Sequence, residues 1–426
     1  MTDEHDCECG IDDGRRRFVQ GCGAAMAFAA AGTSLGTVAG DASGDVSALL
    51  ADLPDNWGRW GDDDELGALN LLGSEEMFEG MRAASKRGAK GVERFTLQLS
   101  MTGEVINPDP DQPEVVFPND DAGWPSTDVG DPAFPPRTPA RRDNTTPEGG
   151  SPVAGGVSFV DDKFVTDAFL QGTTHLDALG HAWYGDEIYN GFPADSTETG
   201  KSFETPLLGS EGRDALPDDG DPEDLTLVEE TQGLAHAAVS NPADAGIFGR
   251  AVLLDVGRHL DVADEHDRLP LGYGVTYDDL QATADAQDTE IRDRDLLLVR
   301  TGAVERTRDP NAEWAPLNEP GLAFSDALVE WVAEMDIPYI GADNLAVEKV
   351  VQTVDGDSYV IPLHGAFLRN LGVYLNEILR LDDLAAACAA DGIYEFLLAG
   401  APLNVERASG GAINPVAVKA TGGGRR

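Results

Sequence analysis

Gln171-Gly-Thr-Thr-His175-Leu-Asp177-Ala-Leu-Gly-His181 places two histidines and a carboxylate at spacings of two and four. The chain has only seven histidines in 426 residues, so two of them within this stretch are a signal rather than background. Imidazole and carboxylate together are ligands of hard and borderline divalent ions. Gly172, Gly180 and the β-branched pair Thr173-Thr174 make the stretch a poor helix. Read as a strand, it puts Gln171, Thr173, His175 and Asp177 on one face, because successive side chains alternate. His175 and Asp177 then reach one ion, and His181, beyond Gly180, approaches from a turn. A general base needs a freely titrating nitrogen, so His181 suits proton transfer better than ligation. A lone histidine is more often structural, and a lone aspartate in so acidic a chain more often solvated. It is the set that carries the chemistry.

Two residues in the C-terminal half extend the set. His364 follows the apolar segment Tyr359 to Leu363, and Glu377 sits inside the run Leu371-Gly-Val-Tyr-Leu-Asn-Glu377-Ile-Leu. A carboxylate in a buried strand is costly unless it is paired or binds a cation. Trp57 and Trp60 are candidates for lining a substrate pocket, against the alternative of ordinary core packing. His236, His259 and His266 lie among Asp and Ala and read as surface residues.

Around the motif the chain alternates. Phe164 to Gln171, Ala251 to Val256, Asp295 to Arg300, Pro338 to Ala342, Tyr359 to Pro362, Gly372 to Leu379 and Tyr394 to Ala399 read as strands. Thr276 to Ala286 reads as a helix with acids in its first turn, Ser325 to Glu334 as an amphipathic helix, and Leu381 as the start of another. Interleaved strands and helices predict a mixed α/β fold in a single domain over residues 41–420. Residues 107–156, rich in Pro, Gly and Asp, form an irregular excursion too long for a plain connection.

With these residues in view, the chain resembles the putative cyclase family of metal-dependent hydrolases, which includes kynurenine formamidases and isatin hydrolases. That family carries His-x-x-x-His-x-Asp-x-x-x-His. The likeness extends to Arg59-Trp-Gly-Asp-Asp-Asp-Glu-Leu-Gly-Ala-Leu-Asn-Leu-Leu72, Tyr189-Asn-Gly191, Ala251 to Arg258, Leu297 to Gly302, and Gly341-Ala-Asp343 with Glu348, as in the family's longer members. The resemblance implies a three-layer β/β/α, swivelling-domain-like fold assembled as homodimers or homotetramers. It also implies His175, Asp177, His364 and Glu377 as metal ligands and His181 as proton donor and acceptor. The chain departs from the motif at its first position, where Gln171 replaces histidine. An amide oxygen is a neutral, harder ligand than imidazole. With Gln171 as a weak ligand, the expectation is a single Zn or Mn ion rather than two zinc ions.

Composition narrows the setting. The 77 acidic and 30 basic residues give a formal net charge of -47. Nucleic acid and anionic membrane would repel such a chain, and the charge is spread rather than held in a tail. A surface of this kind suits high salt, where the Debye length is about 3 Å at 1 M and self-repulsion is screened. Arg15-Arg16-Arg17-Phe18-Val19-Gln20 before the mild, Gly- and Ala-rich stretch 21–40 resembles a twin-arginine export signal, with Val38-Ala39-Gly40 offering a cleavage site. The mature chain has no segment long and apolar enough to span a bilayer. Cys7, Cys9 and Cys22 lie in that leader, and Cys388 is left as a single thiol.

The expectation is an exported, extracellular or cell-surface hydrolase of a small-molecule substrate. It uses a metal-activated water to cleave the C–N bond of a small amide or cyclic amide. The same site would also serve a lactone or ester. A third possibility, favoured by Gln171, is an inactive exported protein that binds a ligand.

Overall fold

The computed structural model describes residues 43–86, 88–99, 142–144, 162–164, 169–195, 197–203, 227–307, 309 and 311–422. The leader, and the 107–156 excursion apart from Arg142–Asn144, lie outside the described residues.

Nine strands form one mixed sheet: β1 (Gly91–Thr96), β2 (His175–Asp177), β3 (Ile247–Asp255), β4 (Leu296–Arg300), β5 (Tyr339–Ala342), β6 (Tyr374–Glu377), β7 (Glu395–Gly400), β8 (Gly410–Ala412) and β9 (Val416–Thr421). Their order is β1-β9-β7-β3-β4-β5-β6-β2-β8. β3 to β6 are mutually parallel, and the remaining pairings are antiparallel. Ala251 to Leu254 and Leu296 to Val299 are almost wholly buried, as near-continuous apolar runs in a sheet covered on both faces should be. The fold class is the mixed α/β one expected.

Helices α1 (Ser74–Ala84), α2 (Tyr277–Gln287), α3 (Asp326–Glu334) and α4 (Asp382–Asp391) connect or cover these strands. α2 starts where the sequence says it should. Thr276 accepts from Asp279 N, and the Asp279 carboxylate accepts from Thr276 N, a reciprocal cap. Ser325 caps α3 through Leu328 N.

The sheet curls so that its margins meet. β8 lies at one edge, yet three residues later β9 pairs beside β1 at the other. Leu97 N donates to Pro415 O at 2.9 Å, Ile413 N to Thr174 O at 3.2 Å, and Leu99 N to Thr174 Oγ1 at 2.9 Å. The segment just before the motif strand is thereby clamped between both margins.

One expectation fails in part here. The strand expected over Phe164 to Gln171 falls largely on 165–168, outside the described residues; at its ends Asp162–Phe164 pairs with Arg142–Asn144, and residues 170–174 are turn and bend. Strand geometry begins only at His175, so Gln171 and Thr173 do not share a strand face with His175 and Asp177. Here Thr174 Oγ1 is engaged by Leu99 N and Ile378 O from distant segments, and the Thr173 carbonyl faces His175 Nδ1, so these residues are held by contacts other than a strand ladder.

Candidate metal centre and catalytic site

The site lies where the parallel strands end. In parallel sheets the carboxyl ends of the strands collect functional groups. Here β3, β4 and β6 end on Asp255, Arg300 and Glu377, and Asp343 follows β5. Buried Asp255 and Arg300 and half-buried Glu305 form an ion network, with Arg300 Nη1 to Asp255 Oδ1 at 2.7 Å. Asp343 accepts from Thr301 N and Oγ1 and from Gly302 N, tying β5 to β4.

At β6 the pattern changes, because the neighbour β2 runs antiparallel and sets His175 directly opposite Glu377. His175 Nε2 lies 3.2 Å from Glu377 Oε2 and 3.3 Å from Asp177 Oδ1. His364 Nε2 lies 3.2 Å from Glu377 Oε1 and 3.7 Å from Asp177 Oδ2. His181 Nε2 lies 3.7 Å from Asp177 Oδ1. The structure thus brings His175, Asp177, His181, His364 and Glu377 to one point. Four of the five are essentially buried, and His181, at 15% side-chain exposure, is the most open of them.

The backbone around this point is strained. Ile378, directly after Glu377, has φ +57°, Ile361 before the His364 turn has +42°, and Val347 has +56°. β-Branched residues rarely adopt these values, and such strain concentrates at functional sites. His364 closes the turn Pro362–His364 and opens a π-helical turn, Gly365–Leu371.

The electrostatics follow from burying carboxylates among imidazoles. Burial lowers the His175 pKa, but Asp177 and Glu377 overcome it and push the ring up to about 9. Burial opposed by Glu348 and Glu377 leaves His364 pushed up to about 10. Burial raises Asp177, yet the surrounding imidazoles hold it well below the usual carboxylate range. His181 goes the other way: burial lowers it, and Asp177 only partly compensates, so the ring is neutral near pH 7.

This donor set fits a divalent metal ion. Ligand atoms of His175, Asp177 and Glu377 lie within 4.8 Å of one another. His175 Nε2, both Asp177 carboxylate oxygens and Glu377 Oε1 are buried without a hydrogen-bond partner. Imidazole and carboxylate atoms buried together in this way are costly, and a divalent cation would satisfy them together.

The other expected residues make contacts of their own. The Gln171 amide nitrogen donates to Ser409 Oγ at 3.0 Å. Its side chain packs so closely on β8 that a Cβ at Gly410 would come within 2.8 Å of it. Trp57 borders a cavity of about 250 Å³ with Leu50, Leu53, Tyr184, Arg369 and Asn370, and donates from Nε1 to Arg369 O. Leu50 and Tyr184 press on Gly365, next to His364. Trp60 instead carries the Arg59 guanidinium 4.9 Å above its ring. Of the histidines expected at the surface, His266 is exposed, whereas His236 stacks on Phe192 at 4.2 Å and bonds to Glu65, and His259 is half-buried.

Two supporting residues were not read as such from the sequence. Asn376 Nδ2 holds the His175 carbonyl at 2.6 Å, and Thr174 Oγ1 donates to Ile378 O at 2.6 Å. The polar Asn376-Glu377 pair within an apolar run was the available signal.

The family described as Putative cyclase matches residues 128–349, more than half of the sequence, and the chain belongs to that family. Among solved structures, a novel cyclase is 31% identical, covers 86% of this chain and 98% of its own, and superposes with a TM-score of 0.60. Isatin hydrolase A from Labrenzia aggregata, bound to benzyl benzoate, is 17% identical over 78% of this chain and 94% of its own, with a TM-score of 0.41. Isatin hydrolase A from Ralstonia solanacearum is 18% identical over 77% and 92%, with a TM-score of 0.42. No curated protein matches the sequence.

Proposed function

We propose that the protein is a metal-dependent hydrolase cleaving the C–N bond of a small amide or cyclic amide. The observation that carries this is the convergence of orphaned donors from His175, Asp177 and Glu377 beside a neutral His181. His175, Asp177, His364 and Glu377 would hold one divalent ion, Zn or Mn. Such an ion supplies Lewis acidity toward a water and toward a substrate carbonyl. His181, neutral and the most open of the group, would take the proton from water and return it to the leaving nitrogen. An amide nitrogen leaves poorly without a proton, so a residue in this position favours C–N over C–O cleavage. Asp177 beside it stabilises the imidazolium formed midway.

In this proposal the enzyme is exported through the Arg15-Arg16-Arg17 leader, works in high salt, and assembles as a dimer or tetramer. Among the described residues no helix is long and apolar enough to cross a membrane. The test is a panel of N-formyl arylamides, isatin-like lactams, lactones and aryl esters, assayed with Zn and with Mn in KCl. Turnover of amides ahead of esters is expected. Turnover of lactones or esters alone would overturn the C–N assignment, and ligand binding without turnover would overturn the enzyme.

A further inference from the structure

We infer that Glu348 is a positioning residue: as a buried carboxylate it fixes the ring of His364 and strengthens that ring's other nitrogen as a metal ligand. This rests on the metal-centre reading above and specifies one part of it.

The two imidazoles facing Glu377 are held differently. His175 Nδ1 lies 2.7 Å from the Thr173 carbonyl, whereas His364 Nδ1 lies 2.8 Å from Glu348 Oε1. Carbonyl and carboxylate oxygens accept and do not donate. Both rings therefore carry a proton on Nδ1 and turn Nε2 toward Asp177 and Glu377. The difference is the acceptor. Thr173 offers a backbone dipole, and Glu348, 2% exposed and raised in pKa by that burial, offers a side-chain carboxylate whose oxygens face N–H donors. A carboxylate on the far nitrogen orients a histidine and raises the basicity of the ligating one.

Glu348 is itself held from several sides. Oε1 also accepts from His364 N at 2.8 Å, and Oε2 accepts from Leu363 N at 3.0 Å and Gln352 Nε2 at 2.6 Å. Every contact comes from an N–H donor, so both oxygens act as acceptors. Gln352 is fixed in turn, accepting from Phe324 N at 2.5 Å. The left-handed backbone at Val347 and Ile361 flanks the arrangement, one residue before Glu348 and three before His364. A carboxylate suits four inward donors, whereas an amide would turn its NH₂ against two of them.

The test compares wild type, Glu348→Gln and the double variant Glu348→Gln/Gln352→Glu as full chains in KCl. Zn²⁺ and Mn²⁺ affinities come from competition with a chromophoric chelator, and folding from thermal unfolding of the metal-free protein. Glu348→Gln should weaken metal binding about 10- to 100-fold. The double variant keeps the charge and a hydrogen bond between the two positions but moves the carboxylate off His364. It should recover thermal stability without recovering affinity. Wild-type affinity in a folded Glu348→Gln protein, or recovery of affinity together with stability in the double variant, would overturn the assignment. A wild-type protein that binds neither ion would overturn the metal centre itself, a separate failure visible in the wild-type arm alone.

Discussion

His175 and Glu377 face each other across the antiparallel pairing of β2 and β6, and their side chains meet, Nε2 to Oε2, at 3.2 Å. They lie about 200 positions apart in sequence, so the site exists only when the curled sheet has formed. Glu377→Gln keeps the size of the side chain and removes its charge. It should weaken metal binding by roughly a hundredfold or more, beyond the loss typical of an outer-shell partner. A chelator competition titration reads this directly.

His181 is assigned to proton transfer rather than ligation. His181→Ala should lower kcat by about 10²- to 10⁴-fold, the usual scale for general acid–base catalysis, while bound metal stays near the wild-type level. Metal content measured on the purified variant alongside its turnover separates the two roles.

Glu319 gives the fold a pH dependence of its own. Its carboxyl accepts from Trp314 Nε1 at 2.9 Å and Leu345 N at 2.7 Å, yet burial outweighs these contacts and pushes it up to about 8. The folded state therefore holds a proton that the unfolded chain releases near pH 4.5. Its contribution to stability is full below that pH, falls as pH rises toward 8, and is flat above. Between those limits the difference in unfolding free energy, wild type minus Glu319→Gln, should fall by up to about 1.4 kcal/mol per pH unit. Denaturant unfolding at several pH values in constant KCl checks it.

Lys419 on β9 is fully buried and donates to both Asp391 oxygens at 2.7 and 2.6 Å. Removing Asp391 strands a cation inside, whereas removing Lys419 leaves a carboxylate that is 15% exposed. Asp391→Ala should cost about 3–5 kcal/mol, and Lys419→Met clearly less. Equal losses in thermal or denaturant unfolding would contradict the asymmetry.

The parallel strands β3 to β6 were legible because they are buried on both faces and spell continuous apolar runs. The helices at Thr276 and Ser325 were legible because their caps are local. β1, β8 and β9 were not. Lys419 looks like a surface residue until Asp391, 28 positions away, pairs with it. Gly410-Gly411 looks like a loop until Gln171 and the Leu176 carbonyl close on it. In the site, His175, Asp177 and His181 announced themselves by spacing, and Glu377 by its place in an apolar run. The tie from Glu348 to His364 spans 16 residues and depends on two left-handed backbone positions, which no periodicity encodes. The resemblance to the cyclase family included Glu348 without giving it a role.

A metal held by His175, Asp177, His364 and Glu377 is the centre of the proposed chemistry. Its most direct test is metal analysis of wild type and Asp177→Asn, both purified in high KCl so that the acidic surface does not retain ions nonspecifically. The expected result is about one divalent ion per wild-type chain, amide turnover that is lost and regained with that ion, and little of either in Asp177→Asn. A folded wild-type protein that turns over amides without any bound ion, or equal metal content in Asp177→Asn, would contradict it.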